Sequence, residues 1–191
     1  MRLTTMANDF KVDTSTLQMI NTFYDLHKDW FKKNIETAIF VGIRKGAEEN
    51  YIIEDLGETG VVCLRLEVWH KNCEECKDDI MYSPIIRMDM REMPNRFVDK
   101  SIDLIFAKQV LEHVSKEEAE ILLRSWTKIA RKMVIVETPK GEYKQGPIDG
   151  NPYEVHKCAL YEQDFENAGY MCYTGGYDHE DLRHLLGVWI P

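Results

Sequence analysis

Four short apolar runs, separated by stretches long enough for helices, constrain this chain more than any other feature. They read TAIFVG (Thr37–Gly42), VVCLRLEV (Val61–Val68), IDLIFA (Ile102–Ala107) and MVIV (Met133–Val136). A strand exposed on one face alternates apolar and polar residues, whereas a near-continuous apolar strand is buried on both faces. Runs of this kind with helices between them require a parallel sheet covered on each side. Ile85–Asp89, Tyr170–Thr174 and Leu185–Ile190 bring the expected strands to seven. One intervening helix is expected around Asn72–Asp79. Another opens with a Ser115/Glu118 capping box and carries Ala119, Leu122, Leu123, Trp126 and Ile129 on its apolar face. A short helix over Tyr161–Ala168 ends at Gly169, where a glycine cap belongs.

Ahead of the sheet, Thr14 or Ser15 caps a helix over residues 14–34, with Leu17, Ile20, Tyr24, Trp30 and Phe31 near one face. Residues 1–13 show no periodicity and read as a loose leader. The 191 residues fit one domain with one sizeable core.

No run reaches the length of a membrane-spanning helix, and the start of the chain lacks a signal-peptide pattern. The five cysteines are an odd number and read as reduced thiols, so a cytoplasmic protein with no membrane partner is expected. Cys73-x-x-Cys76 has no second pair to complete a zinc site and fits two positions on one helical face. A net charge of −9 argues against a nucleic-acid partner. The densest basic cluster, Arg124, Lys128, Arg131 and Lys132, is read as cations complementing a helix C-terminus.

In a doubly wound sheet the ligand sits beyond the carboxyl ends of the strands. After the first strand stand Gly42 and Gly46, which let a backbone approach a ligand closely. Glu67 closes the second strand, 25 residues beyond Gly42, where a carboxylate accepts two hydrogen bonds from a ribose diol. Asp89 closes the third, placed to accept from an adenine amino group. A long loop, Thr138–Leu160, follows the fifth strand and holds three glycines and three of the six prolines. A loop of that length inside a compact domain is usually functional.

At Val110-Leu111-Glu112-His113 the chain resembles a family. The stretches SIDLIFAKQVLEHV and MVIVETPKGEY are similar to class I S-adenosylmethionine (SAM)-dependent methyltransferases. GNPYEVHKCALYEQDFENAGY resembles a subgroup with an Asn-Pro-Tyr-Glu-x-His segment before its last helix. The resemblance covers residues 36–190. It implies a Rossmann-like α/β fold with strand order 3-2-1-4-5-7-6 and the last strand antiparallel. It implies SAM as cofactor, with Gly42 and Gly46 at its methionine part, Glu67 at the ribose, Asp89 and Met90 at the adenine, and Gln109 and Val110 alongside. Two positions depart from the family pattern. Phe40 stands where the family has an acid, and Arg44 replaces its middle glycine; Arg44 is read either as a partner for the SAM carboxylate or as a side chain that fills the pocket.

A base is needed only when the acceptor atom carries a proton, and His113 and His156 are the candidates. Some relatives, among them small-RNA 2′-O-methyltransferases, bind a divalent metal through Glu-x-x-Glu-His and a later histidine. Here Glu112, His113 and His156 match that set and Gln109 replaces its first member. Leu-Glu-His is also common in methyltransferases without metal, where it is structural, and that is the reading preferred. Trp30, Trp69, Trp126 and Trp189 are read as packing residues. Tyr143, Tyr153 and Tyr161 are expected to line an acceptor pocket or to pack on the domain, and the long loop, with Gln145, Asn151, Glu154 and His156, is expected to form much of the acceptor site.

The leading expectation is methyl transfer from SAM to an O or N atom of a small or medium-sized acceptor. The alternative, motivated by Phe40 and Arg44, is a catalytically inactive methyltransferase-like binding or regulatory protein. A dinucleotide oxidoreductase is disfavoured, because no full G-x-G-x-x-G is present.

Overall fold

A computed structural model describes residues 19–44, 49–78, 83–175 and 183–191. The leader, Thr14, Ser15, Leu17, Gly46 and Asp79 lie outside them. Helix α1 (Met19–Asn34) precedes β1 (Thr37–Val41), α2 (Asn50–Gly57), β2 (Val62–Glu67), α3 (His70–Cys76) and β3 (Ile85–Arg87). A 3-10 turn and α4 (Met93–Arg96) lead to β4 (Ile102–Lys108). The remainder is α5 (Lys116–Ile129), β5 (Ala130–Pro139), α6 (Glu162–Glu166), β6 (Met171–Gly175) and β7 (His184–Trp189). The sheet has the expected order, β3-β2-β1-β4-β5-β7-β6. The first five strands run parallel, and β7 is antiparallel to both β5 and β6.

Alternate residues along each central strand face two separate cores. Ala38 and Phe40 of β1, Leu104 and Phe106 of β4, and Met133 and Ile135 of β5 pack under α1 and α2. Ile39, Val41, Ile105, Ala107, Val134 and Val136 face the other way, onto α5 and α6. Both faces are therefore apolar, which is why the strands read as continuous runs. The expected capping box of α5 is present, with Ser115 accepting from the Glu118 N–H and Glu118 from the Ser115 N–H. Trp126, at the centre of its apolar face, is fully buried. Gly187 of β7 makes room for α6, since a Cβ there would lie 2.2 Å from Phe165 Cδ1.

Two expectations are corrected. β5 has ten residues, because Ala130, Arg131 and Lys132 extend it toward its start. Arg131 and Lys132 therefore do not cap a helix. Their side chains reach the fully buried Asp103 at 2.9 and 3.2 Å, and Asp103 also accepts the Glu36 N–H at 2.8 Å. A buried carboxylate needs such partners, and here it joins β1, β4 and β5 at the end of the sheet remote from the strands' carboxyl termini. The second concerns the long loop. Its first two residues belong to β5, and the rest is stitched down: the Gly141 N–H donates to Leu160 O, the His156 N–H to Gln145 O, and the Lys157 and Cys158 N–H groups to Glu112 O.

Candidate active site

β1 is flanked by β2 on one side and β4 on the other, so the chain reverses its direction of winding beside it. This is the position where doubly wound folds bind ligands. A cleft of about 620 Å³, partly open to solvent, lies there. Its inner wall comes from residues at or just beyond the carboxyl ends of β1 to β4: Gly42, Glu67 and Val68, Met88 to Arg91, and Gln109 and Val110. Its outer wall is His113, Val114, Asn151, Tyr153, Glu154 and Lys157.

Gly42 has a left-handed backbone (φ +78°), and a Cβ on it would meet Val110 Cγ1 at 2.1 Å. Glycine is thus required twice over, by torsion and by space. Glu67 is buried at the end of β2, with Oε1 accepting the Trp69 N–H at 2.7 Å. Burial pushes its carboxyl up, hydrogen bonds from Trp69 and Asn72 oppose that, and the charge of Glu154 adds to the rise. Burial also opposes ionisation of Asp89, but Arg91 outweighs it and holds the carboxyl below its ordinary value. Gln109 is a non-glycine residue at φ +52°. Its Nε2 lies 3.4 Å from His184 Nδ1, which lies 2.8 Å from the fully buried Glu137.

His113 sits on a 3-10 turn after β4, and His156 lies behind it, with ring centroids 5.0 Å apart. His113 Nδ1 is 3.4 Å from Val155 O, and His156 Nδ1 is 2.9 Å from Tyr143 O. A carbonyl only accepts, so each Nδ1 meets its carbonyl as a donor, which leaves Nε2 as the nitrogen turned to other partners. His113 Nε2 lies 3.9 Å from Glu154 Oε2, across the cleft. Burial lowers the pKa of His156, which favours its neutral form. Glu112 is fully buried and its carboxyl is pushed up. Its Oε2 accepts from Thr138 Oγ1 at 2.9 Å, while Oε1 has no hydrogen-bond partner among the described residues. Ligand atoms of Glu112, His113 and His156 lie within 4.8 Å of one another. One carboxylate and two imidazoles, each ring fixed through Nδ1 by a carbonyl, are a fitting donor set for a divalent cation.

The cleft thus brings together Gly42, Glu67, Asp89, Met90, Gln109, Val110 and His113, with Asn151, Tyr153 and Glu154 from the loop. It does not include Arg44, which is exposed, or Gln145 and His156, which brace the loop from behind. Phe40 is fully buried against Phe106, with centroids 5.1 Å apart, on the core side of the strand. Tyr143 packs on His156, and Tyr161 is exposed outside the cleft. Cys73 and Cys76 are free thiols on α3, buried as two positions of one face. Sequence reasoning missed Arg91, Lys157, Val68 and Met88. Of these only Arg91 left a sign, a basic residue two positions after a strand-end acid.

The fold and its cleft define a class: an α/β domain built as SAM-dependent methyltransferases are. A family model described as a methyltransferase domain matches residues 45–136. A SAM-dependent methyltransferase from Archaeoglobus fulgidus superposes with a TM-score of 0.63 at 12% identity, covering 91% of this chain and 95% of that one. The methyltransferase domain of bacterial CtHen1-CN superposes at 0.61 with 19% identity, covering 91% and 98%. A SAM-dependent methyltransferase from Aquifex aeolicus gives 0.57 at 16% identity, covering 98% of both chains. No curated protein matches the sequence. Among the described residues, no helix is long and apolar enough to cross a membrane.

Proposed function

We propose that this chain is a SAM-dependent methyltransferase that methylates an O or N atom of a small or medium-sized acceptor. The observation that carries the reading is the meeting of Gly42, Glu67, Asp89 and Val110 with His113, Asn151 and Glu154 in one cleft at the switch point. Glu67 accepts from the ribose hydroxyls. Asp89 accepts from the adenine amino group, between the apolar surfaces of Val68, Met88 and Met90. SAM, when bound, supplies a methyl group already activated by its sulfonium. The chain has then to hold the acceptor in line and exclude water. The loop around Asn151–Glu154 covers the acceptor side, and His113 Nε2 takes the acceptor's proton when there is one to remove. A non-catalytic role is less well supported, since neither Phe40 nor Arg44 enters the cleft. Five free cysteines suit a reducing compartment, and a cytoplasmic location is part of this proposal.

The test is incubation with methyl-labelled SAM and a panel of small hydroxyl and amine acceptors. Transfer that falls about a hundredfold in His113→Ala supports the reading. Bound SAM with no transfer to any acceptor favours the binding protein.

A second reading rests on Glu112 Oε1, a buried oxygen with no hydrogen-bond partner among the described residues, close to the rings of His113 and His156. Glu112, His113 and His156 would hold a divalent cation, which would polarise an acceptor oxygen. Metal analysis of protein purified without chelator, then titration with Mn²⁺ and Mg²⁺, decides it. Stoichiometric metal lost in His156→Ala supports the site, and an empty, unresponsive protein removes it.

A further inference from the structure

Arg91 lines the cleft, yet all of its nitrogens are committed. Its backbone N–H and its Nε donate to Asp89 Oδ1, both at 2.9 Å, and its Nη2 donates to Asp89 Oδ2 at 2.6 Å. Nη1 donates to Glu118 Oε1 at 3.0 Å. Glu118 is fixed in its turn, because Oε2 closes the capping box of α5 on the Ser115 N–H. The guanidinium is thus clamped flat between a cleft carboxylate and the first turn of a helix.

The clamp changes what Asp89 offers. A carboxylate has about four acceptor sites, two on each oxygen. At Oδ1 both are used. Oδ2 has given one to Arg91 and keeps one. Lys157, a cation of the outer wall, acts on Asp89 through its charge. A ligand donor therefore has one place to dock at Asp89, in a fixed direction. A ligand acceptor placed there would face a carboxylate, with Nε and one N–H of each Nη of the guanidinium already directed at Asp89 and Glu118.

We propose that Arg91 is a specificity-determining residue, which by its clamp between Asp89 and Glu118 makes the cleft select a 6-aminopurine over a 6-oxopurine. The inference rests on the SAM reading of the cleft. Lysine cannot replace the arginine, because a single ammonium does not grip both carboxylate oxygens and Glu118 together. With the clamp loosened, Asp89 turns and a freed cation can serve an oxo base.

The full chain is titrated with S-adenosylhomocysteine and with its 6-oxo analogue, S-inosylhomocysteine. The unaltered protein binds the amino form about a hundredfold tighter, the margin of about one lost and unsatisfied polar contact. Arg91→Lys narrows that ratio at least tenfold while the melting temperature holds. Glu118→Gln, which keeps a capping-box residue, narrows it less, and it carries the test if Arg91→Lys fails to fold. An unchanged ratio in a folded variant overturns the role of Arg91 and leaves the SAM reading intact. An unaltered protein that binds neither compound overturns both.

Discussion

Gly42 and Val110 close the floor of the cleft against each other, with space at residue 42 for a hydrogen and nothing larger. Gly42→Ala forces a side chain into a left-handed backbone and into Val110 Cγ1. Strain of that kind and overpacking together cost about 2–5 kcal/mol. Urea unfolding should show that loss, and S-adenosylhomocysteine binding should fall with it even under conditions where the variant stays folded.

Phe40 occupies the position where the resembling family places an acid. Restoring the acid here should not help the cofactor. The side chain is fully buried against Phe106, so Phe40→Asp places an unpaired carboxylate in an apolar core, at a cost of about 3 kcal/mol or more. Phe40→Leu should cost about 1–2 kcal/mol. A comparison of the two melting temperatures checks this, and higher SAM affinity in a folded Phe40→Asp variant would contradict it.

Glu67 faces the cleft while Oε1 holds the Trp69 N–H. Glu67→Gln can keep that local bond through its carbonyl oxygen, but a neutral amide accepts less strongly from a ribose diol. Binding of S-adenosylhomocysteine should weaken about tenfold to a hundredfold, with little change in thermal stability.

Glu162, at the start of α6, should make the fold sensitive to acid. Burial opposes its ionisation, but Lys140 and Thr174 outweigh that and hold its pKa at about 2. A carboxylate depressed in the folded state contributes stability that is fully present above its unfolded value. That contribution is lost as pH falls toward about 2. The group is partly exposed, so screening limits the contribution to about 1 kcal/mol. Unfolding measured from pH 6 down to pH 2 should show a shallower decline in Glu162→Gln than in the unaltered chain.

The central strands were legible because Ile39, Phe106 and Ile135 belong to runs that only a sheet buried on both faces explains. The start of β5 was not, because Arg131 and Lys132 look like surface cations until Asp103, a distant residue in sequence, is seen beneath them. The cleft followed a similar rule. Gly42, Glu67, Asp89 and Gln109 each end or follow a strand, so their convergence comes with the topology. Arg91 acts through its neighbour Asp89 and through Glu118, and that geometry has no periodicity to betray it. His156 stands near the right place in the chain, but Tyr143 holds its ring behind His113 instead of on the cleft wall.

Whether this cleft binds SAM is decided by calorimetric titration of the purified chain with SAM and with S-adenosylhomocysteine. One site on each chain is expected, with micromolar affinity, about −8 kcal/mol, weakened by Glu67→Gln. A folded sample that releases no heat with either compound would contradict it.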